Sequence, residues 1–392
     1  MGRSYWIWYP GDFELYHGMK QNFSRVERGF GWPAFWKSEG FRNRVAFRRT
    51  YQLEKETSFT VYSNAIGHVL VGDKKYPFGK KIVCGPGEVA VGVHTGCIEA
   101  FPCIYVEGEV ICSDKGWIVE DYDKEPLPAG KSKYFTEPNQ NPTVWEYSEK
   151  VYEPVSVTEY NGGTLYEFET ELNAVLEAEF KNGYQPVLIC CGESREEAID
   201  PVHCYYSWQP DKETGKCPCC AVRFAYIPDC KPGEVILRAN HQYVDIPVKA
   251  SFHCGEDRLN QIWSVAEHTF RLCSGIFFID GVKRDKWIWS GDAYQSFFVN
   301  RYLMADADID QRTILALRGN DPMTIVDYSL LWLLGVDYHN EGYGDRDFLE
   351  LVYPKMVSLM GFCNGRRDEH GFLIGKEKDW VYIDWADMDK DG

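Results

Sequence analysis

No stretch of this 392-residue chain reaches the ~18 consecutive apolar residues that a membrane-spanning helix needs. The first residues, Met1-Gly2-Arg3-Ser4-Tyr5-Trp6-Ile7-Trp8-Tyr9-Pro10, also lack an apolar core of signal-peptide length. The sequence as written therefore reads as a soluble, unexported, cytoplasmic protein. Positive charge is scarce as well: 42 Lys and Arg stand against 59 Asp and Glu, a formal net charge of −17. Nucleic-acid binders concentrate basic residues to displace counterions from phosphates, and anionic membranes attract the same residues. Neither nucleic acid nor a membrane surface is expected as a partner, which leaves a neutral or cationic small molecule, or another protein. Regular cysteine spacing is absent too. Disulfide scaffolds are short and Cys-dense, whereas here 14 Cys are scattered irregularly through a long chain, so reduced and mostly buried thiols are expected. Cys217-Pro218-Cys219-Cys220 is the one crowded group. Zinc takes four ligands, usually as two separated pairs, and His203, Cys204 and Cys230 do not complete such a spacing. The group reads as a loop with incidental thiols, and neither a metal nor a cofactor is expected.

Aromatic rings, by contrast, are plentiful, with 13 Trp and 25 Tyr in a chain that is 15% aromatic. Such rings offer an apolar face beside a polar edge, which suits carbohydrate, whose C–H faces stack while its hydroxyls form hydrogen bonds. The competing use is filling β-rich cores. A hydrophobic fraction of 44% with 26% charged residues is that of a globular protein, and the length implies two or three domains.

Residues 1–130 carry short β-branched and aromatic runs, Ser58–Tyr62, His68–Val71, Val89–Val93 and Ile104–Val106, separated by turn residues. They predict a β-sandwich or jelly roll. The segment Phe13–Phe41 fits no element. Glu125-Pro126-Leu127-Pro128-Ala129-Gly130-Lys131-Ser132-Lys133 reads as a linker. A second sandwich is expected over 131–250, with strands at Thr164–Phe168, Ala174–Phe180, Pro186–Cys191 and Glu234–Arg238. Near residue 253 the period changes: Leu259, Ile262, Trp263, Ala266 and Phe270 recur at helical spacing. Further helical patterns follow at about 292–304, 308–318, 324–338 and 346–363. Strands followed by helices imply separate domains, and the uneven helical run over 251–392 looks like the first part of a larger toroid. The expected fold is thus multidomain β plus α, two N-terminal β-sandwich or jelly-roll domains followed by a partial (α/α)6 toroid.

Between the first two helical patterns lies Phe277-Phe278-Ile279-Asp280-Gly281-Val282-Lys283-Arg284-Asp285-Lys286-Trp287-Ile288-Trp289-Ser290-Gly291-Asp292. Asp280, Asp285 and Asp292 offer carboxyl groups to protonate and orient, and Trp287 and Trp289 offer flat rings, the inventory a sugar hydrolase needs. Loops held by rigid elements are where such residues concentrate. The alternatives are ordinary ones: Asp292 as the cap of the helix that follows it, and Arg284 as the partner of Asp280 or Asp285 in a buried ion pair. In the next loops Asp345 reads as a helix cap and His339 as a surface histidine.

The pattern Asp280…Arg284-Asp285…Trp289…Gly291-Asp292 resembles the signature of glycoside hydrolase family 78, the α-L-rhamnosidases. There an Asp opens the motif, an Arg followed by an acidic residue sits in its middle, and Trp-x-Gly-Asp closes it. The resemblance is strongest over 251–392, weaker over 155–250, and one of domain order alone over 1–130, since that family places β-sandwiches ahead of an (α/α)6 barrel. Two departures stand out. Gly281-Val282 occupies a position where Cys-Pro is common, and the residue after Arg284 is Asp285 where Glu is usual, followed by Lys286 where some members carry the working Glu.

The resemblance implies inverting hydrolysis of a terminal α-L-rhamnoside. In such chemistry one carboxylic acid protonates the leaving oxygen and another carboxylate activates water about 6.5–9.5 Å away. It assigns the acid to Asp285; beside it, Asp280 and Asp292 are expected to grip sugar hydroxyls, Arg284 to orient a carboxylate, and Trp287 or Trp289 to wall the pocket. Asp285 needs a raised pKa; Asp280 and Asp292 push it up, while Lys283, Arg284 and Lys286 push it down. By their own spacing, Asp379-Trp380 and Asp384-Trp385 would line the same cleft in a closed barrel, the alternative being an exposed, capped helix start. The family's water-activating residue lies on a later loop, and no counterpart occurs before Gly392. Two other functions fit the same residues: a carbohydrate-binding fragment without catalysis, or a lyase or phosphorylase on the same toroid. A rhamnose-containing glycan is the expected partner, and nothing in the sequence fixes the oligomeric state.

Overall fold

The computed structural model describes residues 4–23, 40–122, 125–283, 286–318 and 325–376. Its helices are α1 (Asp12–Phe23), α2 (Arg195–Ala198), α3 (Asp257–Leu272), α4 (Ser290–Leu303), α5 (Ala307–Arg318), α6 (Val326–Tyr343) and α7 (Arg346–Asn364). The four helical patterns after α3 appear within a few residues of where their periodicity predicts them. The chain divides into two compact units, one of 1–20, 35–145 and 310–392, the other of 21–34 and 146–309.

The first unit contains two antiparallel sheets. One orders Gly130–Lys131, Trp6–Trp8, Cys103–Gly108, Thr57–Ser63 and Ile82–Cys84; the other orders Leu127–Pro128, Ile118–Glu120, Arg44–Leu53, Gly87–Gly96, Ile66–Val71 and Lys74–Tyr76. Alternation sends every second residue inward. Phe59 and Val61 from the first sheet meet Val45, Phe47, Val91 and Val93 from the second in one core. The segment expected as a linker is instead part of this sandwich. Leu127–Pro128 pairs with Ile118–Val119, and Gly130–Lys131 with Ile7–Trp8. Its prolines and glycine misled because Pro and Gly also suit short edge strands. The unplaced early segment begins as α1, with Phe13 stacked on Trp8 at 4.9 Å. Trp8, Trp117 and Trp332 are fully buried, so much of the aromatic excess fills cores rather than meeting ligand.

In the same unit α6 and α7 form a helical hairpin. Gly344 ends α6 in the left-handed conformation (φ 63°), where a β-carbon would be strained, and Asp345 caps α7 by accepting from Phe348 N. Asp345 is therefore the cap its position predicts. His339 is not on the surface: it is 1% exposed, 3.2 Å from Asp310, between the rings of Tyr343 and Phe348. Its neighbours Asn340 and Glu341 suggested a loop, but α6 runs on to Tyr343 and carries His339 on its inner face.

The second unit is built on a seven-stranded antiparallel sheet with the path Ser148–Tyr152, Val235–Tyr243, Gly163–Phe180, Cys220–Ile227, Ile189–Gly192 and Tyr206–Trp208; Ser156–Tyr160 pairs off this path with Gly163–Phe180. The two strands expected at 164–168 and 174–180 are one strand. It pairs with Cys220–Ile227 along its first part and with Val235–Tyr243 from Ala174 onward, and its register shifts between Glu167 and Leu172. Tyr166, Phe168, Leu172, Ala174 and Leu176 fill a core on one face, while Leu165 joins Ala198 and Tyr226 on the other. α3 keeps its predicted period and an N-cap at Glu256, yet none of its residues is buried, and Leu259 and Ile262 remain 48% and 55% exposed. The pattern specified the helix, and no described element covers that part of its apolar stripe.

Candidate functional site

The loop after α3 is shaped by a short backbone ladder. Ser274 bridges Phe278, Gly275 N donates to Phe277 O at 3.1 Å, and Ile279 N donates to Cys273 O at 3.0 Å. Beyond it the loop leaves and returns through a closed neck. Asp280 N donates to Trp287 O at 3.0 Å, and Trp287 N donates to Asp280 Oδ1 at 2.9 Å. At least one oxygen of Asp280 thus fixes the backbone of the loop. The ring of Trp287 is fully buried, so it supports the neck from within, whereas Trp289 remains partly exposed. Of the two rings expected to wall a pocket, only Trp289 offers a face to a ligand. Lys286 adopts φ 48°, a left-handed conformation uncommon for a side-chain-bearing residue. Arg284, Asp285, Asp379, Trp380, Asp384 and Trp385 lie outside the described residues.

Asp292 is not the N-cap of α4. The helix begins at Ser290, Trp289 occupies the cap position without a side-chain hydrogen bond, and Asp292 falls in the first turn. There its charge faces the positive end of the helix dipole. Asp280 and Asp292 both bear on Cys273. Burial, followed by Asp280, pushes the Cys273 thiol up to about 11, with Asp292 adding to the rise and a backbone bond from Val282 opposing it. Both carboxylates therefore act on the same thiol at the foot of the loop.

The loop is tied to the sheet of its own unit at two lysines. Lys283 Nζ lies 2.7 Å from Glu197 Oε1 and 3.0 Å from Glu193 Oε2. Burial alone would lower Lys283, but these bonds outweigh it and raise its pKa. Lys286 Nζ donates to Cys219 O at 3.1 Å, and its carbonyl accepts from Gln21 Nε2 at 2.8 Å. Glu197 sits in α2, whose Ser194 cap holds the Glu197 amide, so the anchor is itself fixed.

Next to this anchor stands a residue that the sequence did not single out. Glu171 lies where the long central strand shifts register, and its carbonyl accepts from His268 Nε2 at 2.7 Å. Irregularities of this kind re-aim side chains and recur beside functional sites. Its Oε1 is shielded from solvent and has no hydrogen-bond partner among the described residues. Burial, reinforced by Glu193 and Glu197 and opposed by Lys283 and Arg223, raises its carboxyl to about 8. Glu171 is thus a carboxylic acid that keeps its proton at neutral pH. The only sequence signal was a run of acidic residues on one face of a strand, Glu167, Glu169 and Glu171, and only tertiary packing selects which of the three is desolvated.

All fourteen cysteines are free, and none is fully exposed. Cys217 is buried, and its sulfur accepts from Leu176 N at 3.0 Å. Cys219 faces Asn173, and Cys220 opens the strand Cys220–Ile227. The crowded thiols serve a strand entry, and among the described residues no three His, Cys, Asp or Glu side chains converge as a metal site. No described helix is long and apolar enough to cross a membrane.

Comparison with known proteins adds evidence of a different kind. Residues 45–207 match the family model described as alpha-rhamnosidase-like, bacteroidetes, N-terminal. Among solved structures, the rhamnosidase from Klebsiella oxytoca with rhamnose bound is 16% identical, with a TM-score of 0.51 over 63% of this chain and 62% of that one. The family 78 rhamnosidase of Bacillus sp. GL1 is 14% identical, covering 99% of this chain and 50% of that one at a TM-score of 0.48. The α-L-rhamnosidase of Streptomyces avermitilis complexed with L-rhamnose is 12% identical over 85% and 42%, at 0.46. The chain thus spans between two fifths and two thirds of the length of these proteins, and at 16% identity the likeness to the Klebsiella oxytoca structure is one of fold. No curated protein matches. The match over 45–207 contains none of the residues of the 280–292 motif, so it meets the resemblance drawn from that motif independently.

Proposed function

We propose, from the α-rhamnosidase-like region this chain carries, that it belongs to a glycoside hydrolase that removes terminal α-L-rhamnosyl residues. The observation that carries the reading is the family match over residues 45–207, lying ahead of a loop with the Asp280…Trp289…Gly291-Asp292 spacing. The reaction is inverting: Asp285 protonates the glycosidic oxygen, Asp280 and Asp292 hold sugar hydroxyls, Arg284 orients a neighbouring carboxylate, and Trp289 receives the C–H face of the ring. The neck bonds of Asp280 and the anchors of Lys283 and Lys286 support this by fixing the described residues on either side of Arg284 and Asp285, since a reacting group misplaced by an ångström loses much of its rate. The helices are the beginning of an (α/α)6 toroid. The half-exposed apolar stripe Tyr353, Val357 and Met360 on α7 fits that reading, because a closed ring of helices buries such a stripe.

Hydrolysis of an aryl α-L-rhamnoside tests the proposal. Asp285→Asn is expected to remove turnover at least a hundredfold while leaving affinity for L-rhamnose within a few fold. Unchanged turnover would discard the assignment. A second reading is rhamnose binding without catalysis, which the exposed part of Trp289 beside the Asp280 neck would also serve. It predicts L-rhamnose binding with no release of the aryl group.

A further inference from the structure

On the sheet of the second unit, two strands and a helix line an open cleft of about 270 Å³, which Ser274 borders at the foot of the 280–292 loop. That size admits one small ring rather than an oligosaccharide. Its floor follows from strand geometry. Lys150 pairs directly with His241 and Ser148 with Tyr243, so Lys150, Tyr152, His241 and Tyr243 share one face of the sheet at a spacing of two residues. The rings form a continuous surface: His241 stacks on Tyr243 at 5.4 Å with planes 14° apart, and Tyr152 meets His241 edge-on at 6.1 Å. Lys150 Nζ sits 4.6 Å from the centre of the Tyr152 ring. The opposite wall is α3, which presents His268 and Arg271, three residues apart and so on one side of the helix.

Both histidines are oriented by the backbone. His241 Nδ1 donates to Asn173 O at 3.0 Å and His268 Nε2 to Glu171 O at 2.7 Å, which leaves the other nitrogen of each ring for a ligand. The lining therefore gathers Lys150, Arg271 and two imidazoles against one lining carboxylate, Asp245, with Glu267 3.9 Å from Arg271 one turn back on α3, in a chain whose net charge is −17. Burial, then the nearby charges of His268, Arg271 and Lys150, hold His241 below its ordinary pKa against the opposing bond to Asn173, as a locally positive field requires.

We propose that this cavity is a binding site for a carboxylated sugar ring, a hexuronate, whose carboxylate meets Lys150 and Arg271 while its C–H face lies on the Tyr152, His241 and Tyr243 surface. Cations alone would suit any small anion, and rings alone any neutral sugar. Their combination in one cavity selects the molecule that carries both features. Asp245 accepts from ring hydroxyls. The site does not depend on the rhamnoside-hydrolase reading, and its test involves no hydrolysis.

The test is calorimetric titration of the full chain with D-glucuronate, D-glucose, acetate and inorganic phosphate in parallel. D-Glucuronate is expected to bind at least tenfold more tightly than D-glucose or acetate. Lys150→Met and Arg271→Met, both at exposed side chains, should each weaken it about fivefold to tenfold with an unchanged circular dichroism spectrum. Equal affinity for D-glucose removes the carboxylate from the proposal, and equal affinity for acetate or phosphate removes the sugar; either overturns it. So does D-glucuronate binding that survives both substitutions, or its absence.

Discussion

Asp12 in the first unit and Glu171 in the second are both carboxyls that burial has pushed far toward neutrality, to about 7 and about 8 respectively. Their surroundings differ in kind. Asp12 is wholly buried and accepts from the backbone and side chain of one residue: Arg42 N reaches Oδ2 at 3.0 Å and Arg42 Nη1 reaches Oδ1 at 2.9 Å. The guanidinium also lies 3.9 Å from the Tyr9 ring and reaches Asp121. Glu171 has a shielded oxygen without a hydrogen-bond partner among the described residues, at a register shift, beside the lysine that anchors the 280–292 loop. A perturbed pKa therefore does not mark a site by itself. Asp12 is held in a structural pair with Arg42, whereas Glu171 is a desolvated carboxyl beside the loop anchor.

The sharpest way to break this comparison is to remove the partner of Asp12. Arg42→Met leaves a desolvated carboxylate and should cost about 3–5 kcal/mol of unfolding free energy in urea titrations at neutral pH. A loss below about 1 kcal/mol would mean that Asp12 is carried as the neutral acid and needs no counter-charge.

Glu171 supplies the next effect, read through pH. Its ordinary value is 4.5 and its folded value about 8. Below 4.5 both states hold the proton. Between 4.5 and 8 the folded chain keeps a proton that the unfolded chain has lost, so this contribution to stability falls as pH rises through that window and is gone above it. Glu171→Gln removes the slope and should leave the variant about 3–5 kcal/mol more stable than the parent near pH 9. Parallel stability curves for the two proteins would contradict the desolvated acid.

Lys283 gives the smallest change. Lys283→Met loses the bonds to Glu193 and Glu197, which are partly exposed, and should cost about 1 kcal/mol. The same loss should speed hydrogen exchange of the Trp287 amide, which closes the loop neck, by about fivefold to tenfold. Unaltered exchange would show that the neck holds without the anchor.

How far the sequence revealed these features depended on the range of the interactions that make them. Helices α3 to α7 were legible because periodicity and caps such as Asp345 are local. The strand edges at Leu127–Lys131 were hidden by turn-forming residues that edges also accept, and the fusion of two expected strands into Gly163–Phe180 was hidden by its register shift. Within the motif, the likeness of Asp280 and Trp289 to a glycosidase signature was visible. The neck bonds of Asp280, the burial of Trp287 and the selection of Glu171 depend on contacts between residues far apart in the chain. His339 fails as a surface histidine for the same reason, since its partner Asp310 lies on another helix.

The most direct measurement is an L-rhamnose titration followed by amide and indole NMR signals. Binding at the loop predicts saturable shifts at the Trp289 indole and at amides within 280–292, with the cavity around His241 and Arg271 unaffected. Shifts confined to that cavity, or no response from the 280–292 amides at saturating sugar, would contradict the assignment of this loop to an α-L-rhamnosyl ring.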